Sequence, residues 1–252
     1  MVKAEPVRPS TRSGGADLDA DQPPKVTVSH LRRAGTMCPR RLAHEHGDHR
    51  GMNLGSGRFR VEQRLLEDAR LCHVDVASPS IGAFRADALT DEERRLYEHA
   101  AAWYVALYGD RPVRAADLPG DEEWSTTLDG LGVRLVGRCG LVVEDGDGRA
   151  EVRLLRLGSG VPAVLVDDAD VRFVLLRLAR WAGDRPLLVS VADVVQGARR
   201  EDVVDVASRR ADLDDWVAAR VALIRERIAQ PDPAPGSDCA SCRFVPGCKA
   251  HT

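Results

Sequence analysis

Three cysteines crowd the end of this 252-residue chain as Cys239-x2-Cys242-x5-Cys248, and a fourth, Cys38, stands alone some 200 residues upstream. Cysteine thiolates grouped this closely are ligands for soft metal centres, and Pro246 and Gly247 supply the bends that turn three sulfurs inward. Three thiolates leave a centre one donor short. Cys38, followed by Pro39 after a short predicted helix, is the candidate for the fourth. Such a set suits an iron–sulfur cluster or, as the alternative, tetrahedral zinc. An ordinary zinc ribbon uses two close cysteine pairs, whereas the layout here is one plus three, which favours the cluster. Any fold that satisfies it must bring the two chain ends together. By analogy with a disulfide, closing so long a loop removes roughly 5 kcal/mol of unfolded-state entropy before strain. Cys72 and Cys139 fall at a predicted helix end and in a predicted core strand, and read as small buried hydrophobes.

No apolar run approaches the ~20 residues needed to cross a bilayer. Residues 1–25 lack the apolar stretch of a secretory signal and read as a disordered leader before a single domain over 26–252. A cytoplasmic location, where thiols stay reduced, is the expectation. The net charge of −3 gives no global basic field. The cations are almost all arginine, with lysine only at Lys3, Lys25 and Lys249. Arg32, Arg33, Arg40 and Arg41 make a local basic patch beside Cys38, of the kind that contacts phosphates. His44, His46 and His49 lie close together and read as a solvated helix end.

Periodicity gives a short extended segment at Val26 and Val28, then a helix beginning near Ser29 as N-cap. A second helix is predicted over Arg58–Leu71. A third covers Asp91–Tyr108, with a Thr90/Glu93 capping box and Leu96, Ala100, Trp103, Tyr104 and Leu107 on its buried face. The stretch 131–144 alternates as one strand, 144–150 is a turn, and EVRLLRLGSG returns as its hairpin partner. A helix over Asp170–Trp181, a strand in PLLVSVADVV and a helix over Asp212–Ile228 follow. The class is α/β with a mixed sheet flanked by helices.

These residues resemble the RecB-type exonucleases with an iron–sulfur clasp, within the PD-(D/E)XK (restriction-endonuclease-like) nuclease superfamily. In that family a Ser-led helix ends in Cys-Pro-Arg, matched by Ser29 through Cys38-Pro39-Arg40, and a terminal Cys-x2-Cys-x5-Cys is matched by Cys239, Cys242 and Cys248. Gly137–Gly140 and Leu154–Gly158 fall where the family has its Gly-x-x-Asp and Asp/Glu-x-Lys-Thr-Gly strands. The resemblance implies a nuclease core and a 4Fe-4S clasp held by Cys38, Cys239, Cys242 and Cys248. It also implies DNA as the partner.

The hydrolytic residues depart from that pattern. Gly140 stands for the metal-binding Asp, Leu154 for the second carboxylate and Arg156 for the lysine, and no His is found among Gly57–Glu62. Phosphodiester hydrolysis of this kind needs hard oxygen ligands for Mg²⁺, which Gly140 and Leu154 lack. Arg156 stays protonated, so it can bind a phosphate but cannot act as a base. The expectation is a degenerate nuclease fold with no catalytic residues, binding nucleic acid through Arg32, Arg33, Arg40, Arg41 and Arg156, or binding a protein partner in DNA processing. Two alternatives stand beside it. One is an active nuclease with carboxylates relocated to Glu123, Glu151 or Asp168; the other is a redox- or metal-responsive regulator.

Overall fold

The computed structural model describes residues 23–39, 41–42, 57–74, 78–118, 125–137 and 140–230. Arg40, the three clustered histidines, Glu123, Cys139 and the three terminal cysteines lie outside the described residues. No helix among the described residues is long and apolar enough to cross a membrane.

Strand β1 (Lys25–Thr27) runs directly into α1 (Val28–Arg33). Lys25, expected at the end of a disordered leader, is thus paired in a strand. The cap of α1 is Thr27 rather than Ser29. Its hydroxyl accepts from His30 N–H at 3.3 Å while the His30 ring accepts from Thr27 N–H at 3.4 Å. This is a capping box in which His takes the role usually filled by Glu or Gln, a variant that the usual signature does not include.

Helices α2 (Gly57–Cys72) and α3 (Asp91–Tyr108) pack on one another, and α3 carries the predicted Thr90/Glu93 capping box. Its buried face is turned from the predicted one: Tyr97, Ala100, Ala101, Tyr104 and Tyr108 are inside, and Trp103 is half-exposed. Tyrosine rings are apolar bodies with a polar tip, and each hydroxyl here finds a partner indoors, namely Asp68, His73 and Ser190.

The segment read as one strand is two. Strand β4 (Val133–Val136) lies between β1 and β3 (Ser125–Leu128) in a three-stranded sheet, parallel to the first and antiparallel to the second. Strand β5 (Leu141–Glu144) belongs to a five-stranded mixed sheet of order β2-β5-β6-β7-β8. The break falls where Gly137 and Gly140 take left-handed φ of 150° and 75°. In the larger sheet β2 is Arg114–Ala115, β6 Ala150–Arg156, β7 Leu187–Asp193 and β8 Ala198–Val204.

Strands β5 and β6 form the expected hairpin, and α4 (Ala169–Ala182) is the crossover that lets β7 run parallel to β6. Strand β8 escapes sequence reading because ARREDVV is mostly charged, as suits an edge strand. Helix α5 (Arg210–Ala229) buries Leu213, Val217, Val221 and Ile224, one stripe at helical spacing.

Strand alternation divides the core in two. Val142, Val152, Leu154, Val189 and Val191 face α1, α4 and α5, while Leu141, Val143, Leu155 and Ala192 face α2 and α3.

Candidate functional site

The end of the β5–β6 hairpin is where the sequence pointed to phosphodiester chemistry. Gly140 immediately precedes β5. A Cβ built there would stand 2.6 Å from the Arg153 carbonyl oxygen and 2.9 Å from Leu154 Cδ2, on a backbone already at positive φ. A carboxylate side chain at this position has no room. Leu154 is 9% exposed and packs in the α4-side core, so the second position offers hydrocarbon.

Arg156, at the carboxyl end of β6, is taken up within the fold. Its guanidinium pairs with Asp168 at 2.7 Å and Asp170 at 3.3 Å, and donates to the Gly160 carbonyl at 3.2 Å. Asp170 is shared, because Arg32 of α1 binds its other oxygen. Two of the predicted phosphate-binding arginines are therefore brought together, each already facing a carboxylate. Arg33 and Arg41 are half-buried nearby in sequence.

Beside Arg156 in register, Asp193 is fully buried and accepts four backbone N–H bonds, from Gly158 (3.0 Å), Gly160 (2.6 Å), Val195 (3.0 Å) and Gln196 (3.2 Å). Burial alone would raise its pKa, but the four donors together outweigh this and hold the carboxyl below the ordinary value. The Gly158–Gly160 loop thus has an internal anion in its cradle.

Of the three acids considered as relocated ligands, Glu123 lies outside the described residues, and Glu151 and Asp168 stand apart on different elements. Glu151 lies on the α3 face of β6, opposite Leu154, and is 5% exposed. Asp168 caps α4, accepting from Asp170 N–H and Val171 N–H. No group of three metal-binding side chains occurs among the described residues.

At the other candidate centre, Cys38 is partly exposed between two fully buried anchors, Met37 and Leu42. The Leu42 N–H donates to the Cys38 carbonyl at 2.9 Å, and Met37 N–H to the Arg33 carbonyl at 2.8 Å. The last turn of α5 arrives at the same place: Arg227 donates to Met37 O and Gly35 O, both at 2.7 Å. The described part of the chain ends at Gln230, three residues after Arg227. The three terminal cysteines lie outside the described residues; together with Cys38 they would make a donor set that suits an iron–sulfur cluster or zinc.

No family model and no curated protein matches this chain. It aligns with the crystal structure of SSO0001 over 90% of this chain and 87% of that one, at 14% identity and a TM-score of 0.37.

One feature had almost no signal in the sequence. Under α3 lies a buried polar network centred on Arg153, which is fully buried. Arg153 donates to Glu151 (2.9 Å) and the Tyr104 hydroxyl (3.0 Å), lies 3.3 Å from His73 Nε2, and stacks 4.1 Å over the Tyr108 ring. His73 Nδ1 is 3.2 Å from the Val113 carbonyl, which can only accept, so Nδ1 carries the proton and Nε2 accepts from Tyr104 at 2.9 Å. Burial pushes the Tyr104 hydroxyl up to about 12, against the opposing influence of Arg153. At the rim Arg111 grips Glu201 with two bonds of 2.8 and 2.9 Å. Two buried atoms at its heart, Glu151 Oε1 and Arg153 Nε, have no hydrogen-bond partner among the described residues, so the network is not fully satisfied. A Glu-x-Arg in a strand was the only available sign, and alternation alone does not say that both sides of the strand are covered.

Proposed function

We propose that this chain is a catalytically retired member of the PD-(D/E)XK nuclease superfamily. In this reading it binds nucleic acid without cutting it, and its two ends are clasped by an iron–sulfur cluster on Cys38, Cys239, Cys242 and Cys248. One observation carries the loss of catalysis: the position of the first family carboxylate is Gly140, whose missing Cβ would collide with the Arg153 carbonyl. Leu154 in the core and Arg156 held by Asp168 and Asp170 support the same reading. A metal ion held by carboxylates would have supplied water activation, and nothing at these three positions replaces it.

The clasp rests on the meeting of α5 with the Cys38 loop. When bound, a cluster supplies metal–thiolate links between the two ends of the chain. The chain's own part is to present Cys38 from a rigid loop. Nucleic acid, DNA in this reading, would be held by Arg32 and its neighbours. Arg32 is 53% exposed on its side chain and could trade Asp170 for a phosphate, while Arg156, at 14%, contributes less readily.

The test uses full-length protein prepared without oxygen. Expected are bound iron with cluster absorption, retention of DNA that weakens steeply with salt, and no cleavage of single- or double-stranded DNA with Mg²⁺ or Mn²⁺. Cleavage abolished by EDTA would overturn the retired-nuclease reading. Protein holding zinc in place of iron would replace the cluster and leave the clasp.

A further inference from the structure

Strand β6 and its parallel neighbour β7 end side by side at Arg156 and Asp193. In open α/β sheets, ligands are held outside such carboxyl ends. The chain leaves β6 through the loop 157–160. Leu157 anchors it in the core beneath α2 and α3, and Gly158 and Gly160 leave it bare of side chains beyond. Nothing lies within 4 Å of the place where a Gly160 side chain would begin. The amides of Gly158 and Gly160 already donate to Asp193, so an anion arriving from outside must be met by side chains.

Arg156 and Arg32 both face Asp170 of α4. A further guanidinium reaches the loop from α2, across the sheet from α4. Arg58, the second residue of α2, places Nη1 3.9 Å from the point where a Gly158 side chain would begin. It donates to the Leu157 carbonyl at 3.4 Å, a long bond. Arg60, two residues on, is held by Glu93, which also closes the cap of α3. Arg58 is exposed, and no carboxylate among the described residues pairs with it.

We infer that Arg58 is a phosphate-contact residue, and that the loop 157–160, flanked by Arg58 and Arg32, is where a phosphodiester backbone crosses the molecule. The inference deepens the nucleic-acid reading above and rests on it. Arg32 and Arg156 must release a carboxylate before they take a phosphate, exchanging one charge-assisted pair for another with little net gain. Arg58 gives up only a long bond to a carbonyl, so it keeps nearly all of the gain from released counterions. The two glycines let the incoming backbone approach the loop closely.

The experiment measures retention of a random-sequence DNA duplex by full-length wild type, Arg58→Gln, Arg58→Lys and Arg149→Gln between about 50 and 200 mM salt. Arg149 is exposed in the hairpin turn at the other end of β6 and controls for lost surface charge. Expected in Arg58→Gln is weaker binding to every sequence and a slope of log affinity against log salt shallower by about 0.9, one phosphate contact. The affinity lost across that salt range then shrinks roughly threefold. Arg58→Lys keeps the charge and should keep the slope, while Arg149→Gln should match wild type throughout. Thermal midpoints should not move in any of the three, since both side chains are exposed. A wild-type slope in Arg58→Gln overturns the inference and leaves the nucleic-acid reading standing. An equal change in Arg149→Gln overturns it too, because the effect would then be one of overall charge. Wild-type protein that retains no DNA even at the lowest salt sinks the nucleic-acid reading itself, before any variant is compared.

Discussion

The two faces of strand β6 carry opposite solutions to burial. Toward α4 the strand presents Ala150, Val152 and Leu154, all hydrocarbon and all in the core. Toward α3 it presents Glu151 and Arg153, an ion pair as deeply buried as any leucine. A nuclease of the resembled family needs its acids on the face where this chain has Leu154. The carboxylate that β6 does keep, Glu151, stands three residues before Leu154, an odd number, and is therefore on the opposite face. Polar residues in a central strand are thus no guide to chemistry until the face is known. On the α3 side the charges are paired with one another, with Glu151 Oε1 and Arg153 Nε left without a hydrogen-bond partner among the described residues, and on the α4 side the place for a charge is filled with packing.

Breaking the network should cost most. Glu151→Ala leaves the Arg153 guanidinium buried without its carboxylate, and should lower unfolding stability by about 3–5 kcal/mol in urea titration. A double variant, Glu151→Leu with Arg153→Met, removes both charges and should recover much of that loss. DNA retention in the double variant should match wild type. If retention collapses while stability recovers, the network takes part in binding and the contrast between the faces is wrong.

The apolar face should respond less. Leu154→Ala opens a cavity against the α4-side core and should cost about 2–4 kcal/mol. No DNA cleavage should appear in this variant. A loss well below 1 kcal/mol would mean that Leu154 is not packed as a core residue, and the position would again be open as a site.

How much of this was legible beforehand follows from the same alternation. Helices α2, α3, α4 and α5 and the β5–β6 hairpin show in the sequence because their apolar spacing is regular and their ends carry turn or cap residues. The division of 131–144 between two sheets does not show, since Gly137 and Gly140 are compatible with an ordinary alternating strand until their φ values are known. The tyrosine face of α3 was hidden for another reason. Its choice over Leu96, Trp103 and Leu107 depends on hydroxyl partners that come from α2 and β7 and from the turn after α2. At the candidate site the residue types at 140, 154 and 156 were plain in the sequence. The partners of Arg156, the cradle of Asp193 and the Arg227 clamp were not, because each joins segments remote in the chain.

Asp193 gives the smallest effect, and it tests whether the end of β6 is a locked structural corner or an accessible site. Its carboxyl is held below the ordinary carboxylate value, so the folded state binds fewer protons than the unfolded chain in acid. The stabilisation is fully present above the unfolded pKa of about 3.9 and is lost as pH falls through the lower folded value. Asp193→Asn keeps an acceptor oxygen but removes the charge from four N–H donors, and should cost about 1–2 kcal/mol at pH 7. Urea titrations at pH 7, 5 and 3 should show that difference steady between the first two and shrinking at the third. A difference that grows in acid would reverse the sign and mean that the carboxyl is protonated in the fold. The Gly158–Gly160 loop would then be free to receive an outside anion beside Arg156, and the contrast between a working corner and a packed one would have to be redrawn.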